Sequence, residues 1–168
     1  MDFIEHTTNW VKGEIFEAKL FGSFGLLTIV CSLLLWKFGE TINSKALILP
    51  LATVGVFFLA TAISGISSNN KRLPKYVEAF NKDNQEFIKN EKKRVEDFQY
   101  IYKITIGITT VCFAIAICFF AFTLNPTLKA IGIALILFGL TGLIIDYFSK
   151  ERADNYYKTI ILELEKPS

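Results

Sequence analysis

The sequence predicts an all-α integral membrane protein, a four-helix up-down-up-down bundle whose long helices extend beyond the bilayer into the cytoplasm. Three observations lead there. The 168 residues carry 18 basic and 16 acidic side chains, yet residues 20–36, 46–70, 104–128 and 130–145 carry none. These runs of 17, 25, 25 and 16 residues make up about half the chain. The chain is also 52% hydrophobic, with a mean hydropathy of +0.40. That composition excludes an ordinary soluble domain, a disordered chain, a disulfide-rich secreted domain and a typical nucleic-acid binder. Finally, lysine and arginine are distributed unequally between alternate connecting segments.

The first span is placed at 19–38, because Lys19 and Lys37 flank a short uncharged run and can snorkel to the headgroups. The second, 46–67, and the third, 103–124, are long enough on their own. The fourth, 127–148, continues past Asp146 through Tyr147 and Phe148. Runs such as Leu33-Leu34-Leu35 do not alternate as lipid-facing strands must, which excludes a membrane β-barrel. A soluble bundle would show a polar face in every helix, and spans two and three have no charged face.

The polar segments also read as helix. Phe3, Trp10, Val11, Ile15 and Ala18 fall largely on one face, as do Val77, Phe80, Phe87, Val95, Phe98 and Tyr102, and then Ala153, Tyr157, Ile160 and Leu164. Asp83 with Glu86 has the spacing of a capping box, and Asn125-Pro126 reads as a cap followed by proline at the first helical position. Gly39 and Asn43-Ser44 mark the first outer turn. The chain therefore parses into one domain, 1–168, of four helices near 2–38, 44–81, 83–124 and 126–165. Pro74 and Gly13 are potential kinks. Polar halves lying flat on the membrane are the alternative to a standing bundle.

Fifteen lysines and arginines fall on one side of the membrane, and only Lys37, Lys45 and Lys129 on the other. The positive-inside rule thus places both termini and the middle segment in the cytoplasm, in a multi-pass protein of the cell (inner) membrane. Residues 1–18 lack the basic and apolar regions of a cleavable signal, so the first span is expected to act as an anchor. A shift of 84 residues aligns Phe3 with Phe87, Val11 with Val95, Lys19 with Lys103, Lys45 with Lys129 and Gly55 with Gly139, which suggests tandem hairpin repeats 1–84 and 85–168.

Asp146 is the acidic residue within an otherwise apolar span, and its repeat counterpart is Ala62. Seventeen residues beyond Lys129, it lies roughly 25 Å along the helix, near the inner interface. Lys150, one turn on, is placed to pair with it. Asp146 is the candidate functional or gating residue, against the plainer reading of a structural interfacial aspartate. Small residues form candidate packing seams: Gly22, Gly25 and Ser32 in span one, Ala52, Gly55 and Ala62 in span two, Thr105, Thr109, Cys112 and Ala116 in span three, Gly132, Gly139 and Gly142 in span four. Such seams serve close helix approach within one chain, an oligomer contact or a narrow pore.

Cys31, Cys112 and Cys118 have no metal-ligand spacing and read as small buried residues. His6 is the sole histidine, so paired-histidine haem ligation within one chain is excluded. No phosphate-binding glycine loop occurs. The basic cluster Lys89, Lys92, Lys93 and Arg94 is diluted by Glu91, Glu96 and Asp97 and fits lipid headgroups rather than nucleic acid. The expectation is a non-enzymatic membrane subunit, without catalytic, cofactor-binding or metal residues. It would be oligomeric or dock another membrane or cytoplasmic protein through its cytoplasmic helices. The alternative is a small channel or transporter with a pore between protomers.

Overall fold

The computed structural model describes residues 2–166. It contains four helices: α1 (Phe3–Phe38), α2 (Ile42–Lys82), α3 (Asn84–Phe122) and α4 (Pro126–Leu164). Each is long and apolar enough to cross a membrane. The chain is thus all-helical and consistent with a multi-pass membrane protein, with a polar half that holds the start of α1, the end of α4 and the α2–α3 turn, and an apolar half beyond it.

The helix ends follow from local chemistry. Thr41, not Asn43 or Ser44, caps α2: its hydroxyl accepts from the Ser44 N–H at 3.1 Å, so the helix starts two residues before the expected 44. At α3 the Asp83 carboxylate accepts from the Glu86 N–H at 2.9 Å. The return bond of a capping box is not made, because the Asp83 N–H is already bonded to the Ala79 carbonyl at 3.1 Å. Asn125 accepts from the Thr127 and Leu128 N–H groups, with Pro126 opening α4 as the sequence predicts. Helix α2 runs through both Pro50 and Pro74 without a break.

The helices pair as two antiparallel hairpins, α1 with α2 and α3 with α4. Helix α4 also lies against α1 and α2, whereas α2 and α3 touch little. The bundle section is therefore a skewed one, with α2 and α4 on the short diagonal. Phe58 and Phe138 hold that diagonal with stacked rings 5.6 Å apart, and Phe57 meets Phe138 edge-on at 5.3 Å. Beside them the apolar half opens a groove of about 520 Å³, lined by Pro50, Thr53, Phe57, Thr127, Ala134 and Phe138.

The two hairpins share one register. Gly25 faces Gly55 in the first, and Thr109 faces Gly139 in the second. Ser32 donates to the Ile48 carbonyl at 2.7 Å, and Ala116 faces Gly132. Ala18 faces Gly65, and the Tyr102 hydroxyl meets Ser149 at 3.1 Å. Every second-hairpin pair is the first-hairpin pair displaced by 84 residues.

The main hydrophobic core lies in the polar half: Phe3, Trp10 and Val11 of α1, Phe87, Ile88 and Val95 of α3, Tyr156 and Ile160 of α4, with Leu73, Tyr76 and Phe80 of α2 against them. Val77, expected on this face, is turned outward and is 40% exposed. The stripe of α2 that meets the core is Leu73, Tyr76 and Phe80, and Val77 flanks it, beside Ile4 and Thr8 in a surface groove.

Candidate functional site

The polar half encloses a network to which all four helices contribute. Glu91 sits one helical turn from Phe87 and one from Val95, on the same buried stripe, and is only 3% exposed. Its carboxylate accepts from Arg94 twice, Nε to Oε1 at 2.9 Å and Nη2 to Oε2 at 2.6 Å, a bidentate pair. The Tyr156 hydroxyl donates to the same Oε2 at 3.0 Å and accepts from Thr7 at 2.8 Å. The Arg94 guanidinium lies 4.3 Å over the Trp10 ring and 5.6 Å from the Tyr76 ring. Trp10 in turn stacks on Tyr156 at 5.4 Å.

Electrostatics here follow from burial and pairing. Burial acts to lower the Arg94 value, but the hydrogen bonds and charge of Glu91 outweigh it and hold Arg94 above its ordinary range. Burial and the Glu91 charge push the Tyr156 phenol upward, so it stays neutral and remains a donor. The network also respects the 84-residue displacement: Phe3 and Phe87, Thr7 and Glu91, Trp10 and Arg94, Val11 and Val95 face one another across the bundle axis. In the sequence Glu91 stands out only as one of the acidic residues that dilute the basic cluster. The available signal was its place at four-residue spacing between Phe87 and Val95, matched by Thr7 between Phe3 and Val11.

Nearer the apolar half, Arg152 of α4 pairs with Glu17 of α1, which is 8% exposed. Gly13 makes room for this: a Cβ there would stand 3.0 Å from the Arg152 Nε. Burial raises the Glu14 carboxyl above its ordinary value, against the opposing charges of Arg94, Arg152 and Arg72. The ionised form is thus the one the fold disfavours. The contribution of the neutral carboxyl is fully present below the unfolded value, 4.5, and is lost as pH rises through the folded value. Glu14→Gln is expected to raise the thermal midpoint at pH 7, and the gain should vanish when melts are repeated below pH 4.5.

Asp146 lies where the two halves meet. Lys150 does not pair with it, because that ammonium is taken by Asp154 at 2.6 Å, one turn further on. The Asp146 Oδ2 atom is enclosed and has no hydrogen-bond partner. Asp146 lines a cavity of about 160 Å³ with Phe21, Phe57, Phe58, Thr61, Thr105, Thr109, Phe138 and Gly142. The seam glycines lie elsewhere. Gly22 faces Ala62, and Gly25 and Gly55 face each other in the α1–α2 hairpin; Gly132 and Gly139 meet Ala116, Phe113 and Thr109 in the α3–α4 hairpin. Gly142 alone joins the cavity, 3.8 Å from Thr105 if it carried a Cβ.

Only Cys112 is buried; Cys31 and Cys118 are exposed on the apolar half, contrary to the buried reading. Hydrocarbon accepts a thiol as readily as a protein core does, so hydropathy does not separate the two environments. Among the described residues no group of three or more His, Cys, Asp or Glu is placed to hold a metal ion. Comparison with known families, curated proteins and solved structures finds no match.

Proposed function

We propose that the protein is a non-enzymatic subunit of the inner membrane, with both termini in the cytoplasm, that works as a self-assembling scaffold through its cytoplasmic helices. The observation that supports this most is where the polar chemistry goes. Thr7, Glu91, Arg94 and Tyr156 bond to one another within an aromatic core, with Glu91 buried and spent on Arg94 and Tyr156, which suits a rigid platform better than a reactive site. The platform's outer surface is charged, with Lys92 paired to Glu96 and Tyr157 donating to Glu96 at 2.6 Å. Within the bilayer α3 turns Ile104, Ile108 and Val111 outward along one face, a ridge that a second copy or lipid can cover. The bilayer and further copies of the chain are its proposed partners; nucleic acid is not.

Mass measurement of the full-length protein in nanodiscs tests this reading. A single defined multiple of the protomer, or a fixed complex with one other protein, is the expected result; a strictly monomeric, partnerless species contradicts it.

A second reading, a small channel or transporter with its pore between protomers, draws support from the cavity at Asp146. It requires flux into liposomes above that of empty vesicles, and a change in that flux in Asp146→Asn.

A further inference from the structure

Two enclosed side-chain oxygens among the described residues lack a hydrogen-bond partner, Asn69 Oδ1 and Asp146 Oδ2, and only the second belongs to a carboxyl group. Buried carboxylate oxygens are strongly disfavoured unless paired. The Thr105 hydroxyl is the one side chain that reaches the Asp146 carboxyl group, its Oδ2 stays enclosed without a hydrogen bond, and no ion pair among the described residues involves it. The equivalent position in the first hairpin is Ala62, packed against Gly22. Close packing is therefore what this register ordinarily needs, and the second hairpin has a carboxylate and a cavity instead.

The walls of that cavity say what fits it. One carboxylate and the threonine hydroxyls are too few oxygens for a bare metal ion, which takes about six or more as a hard divalent cation. The remaining wall is aromatic: Phe57, Phe58 and Phe138 form one contiguous ring cluster, extended by Phe21, whose ring lies 5.5 Å from Phe58. A carboxylate and phenyl rings on the wall of one cavity match an organic cation, with its charge toward the carboxylate and its alkyl groups against the rings. The volume, about 160 Å³, has room for a small methylated ammonium group. The exposed members of the rim are Phe57 and Thr61 of α2 and Ile108 of α3, two helices that touch little.

We propose that this cavity is a binding site for a small organic ammonium group, held by Asp146 and by the Phe57, Phe58 and Phe138 rings. The site is independent of the scaffold reading and does not require transport. The ammonium belongs either to a free amine or to the headgroup of a lipid in the adjoining leaflet, and its recognition chemistry is the same for both.

Tetramethylammonium is the probe, titrated calorimetrically into the full-length protein in nanodiscs of phosphatidylglycerol. Saturable binding is expected, with tetrabutylammonium, too large for the cavity, at least about tenfold weaker. Asp146→Asn should weaken tetramethylammonium by about tenfold or more, through loss of the charge. Phe57→Leu, on the exposed rim where folding is least at risk, should weaken it about threefold. Repeating the titration in ethanolamine-lipid nanodiscs separates the sources: apparent affinity falls if a headgroup competes and is unchanged if the ligand is a free amine. Absence of saturable binding, equal affinity in Asp146→Asn, or equal affinity for tetrabutylammonium overturns the proposal.

Discussion

Replacing Glu91 with alanine is expected to destabilise the fold by roughly 3–5 kcal/mol, the range for removing one partner of a buried ion pair. The reason is not the loss of an attraction in isolation. Glu91 neutralises Arg94 and accepts the Tyr156 hydroxyl. Without it, a guanidinium sits over Trp10 with its strongest acceptor gone, and a buried phenol loses its acceptor. Thermal unfolding of the detergent-solubilised protein measures the effect. The double replacement Glu91→Leu with Arg94→Met should recover most of the loss, because it removes both charges together and keeps apolar volume in the core. Were the single variant to melt like the wild type, the network would not be part of the folded core in solution.

Gly55→Leu is expected to have the second largest effect, and it acts in the apolar half. A Cβ at Gly55 would stand 2.5 Å from an Ile29 side-chain carbon and 2.8 Å from the Gly25 carbonyl oxygen, and one at Gly25 would meet the Gly55 carbonyl and the Leu59 N–H below 3.0 Å. Backbone cannot step aside as a side-chain end can, so α1 and α2 must separate, at a cost of about 1–3 kcal/mol or more. In lipid there is no hydrophobic drive to restore the contact, because the bilayer solvates the parted helices well. Gly107→Leu is the matched control: nothing lies within 4 Å of a Cβ there. Resistance to detergent-induced unfolding should fall in the first variant and stay near wild type in the second.

Several features of this molecule are written openly in its sequence. Uncharged runs locate the four apolar half-helices because charge is so costly in hydrocarbon that its absence is informative. Asp83 and Asn125 announce helix starts because their side chains satisfy N–H groups that the helix itself leaves open. The inward stripes of α1, α3 and α4 follow from helical periodicity, as Phe3, Val11, Phe87, Val95 and Ile160 show. The inner structure of the polar half is harder to see. Glu91 and Thr7 occupy core positions in those stripes, and Arg94 is three residues from Glu91 on the same helix, but a sequence does not say that Tyr156 of α4 will bond to both Thr7 and Glu91.

Pairing between elements is likewise hidden. The short α2–α4 diagonal rests on how Phe57, Phe58 and Phe138 interlock, and any of the 16 phenylalanines is equally at home against lipid. Lys150 had two acidic residues at four-residue spacing, Asp146 before it and Asp154 after it. The structure gives it the second, which is what leaves the Asp146 oxygen unpartnered. The 84-residue displacement is faint as sequence identity because apolar residues exchange freely. It is sharper as register, because Gly25 with Gly55 and Thr109 with Gly139 must each keep two backbones close.

Whether the charged half stands as a closed bundle, rather than lying on the membrane, decides most of this account. Trp10 reports on it directly. The chain has two tryptophans, and Trp36 lies exposed at the far end of α1, so Trp36→Phe leaves Trp10 as the sole indole emitter. In the folded bundle Trp10 is 6% exposed, stacked on Tyr156 and covered by Arg94. Its emission in nanodiscs should therefore resist both aqueous acrylamide and brominated lipid. Strong quenching by brominated lipid would instead place α1's polar half flat on the bilayer, and strong quenching by acrylamide would mean that the bundle is open to water; either result contradicts the closed core on which the scaffold reading depends.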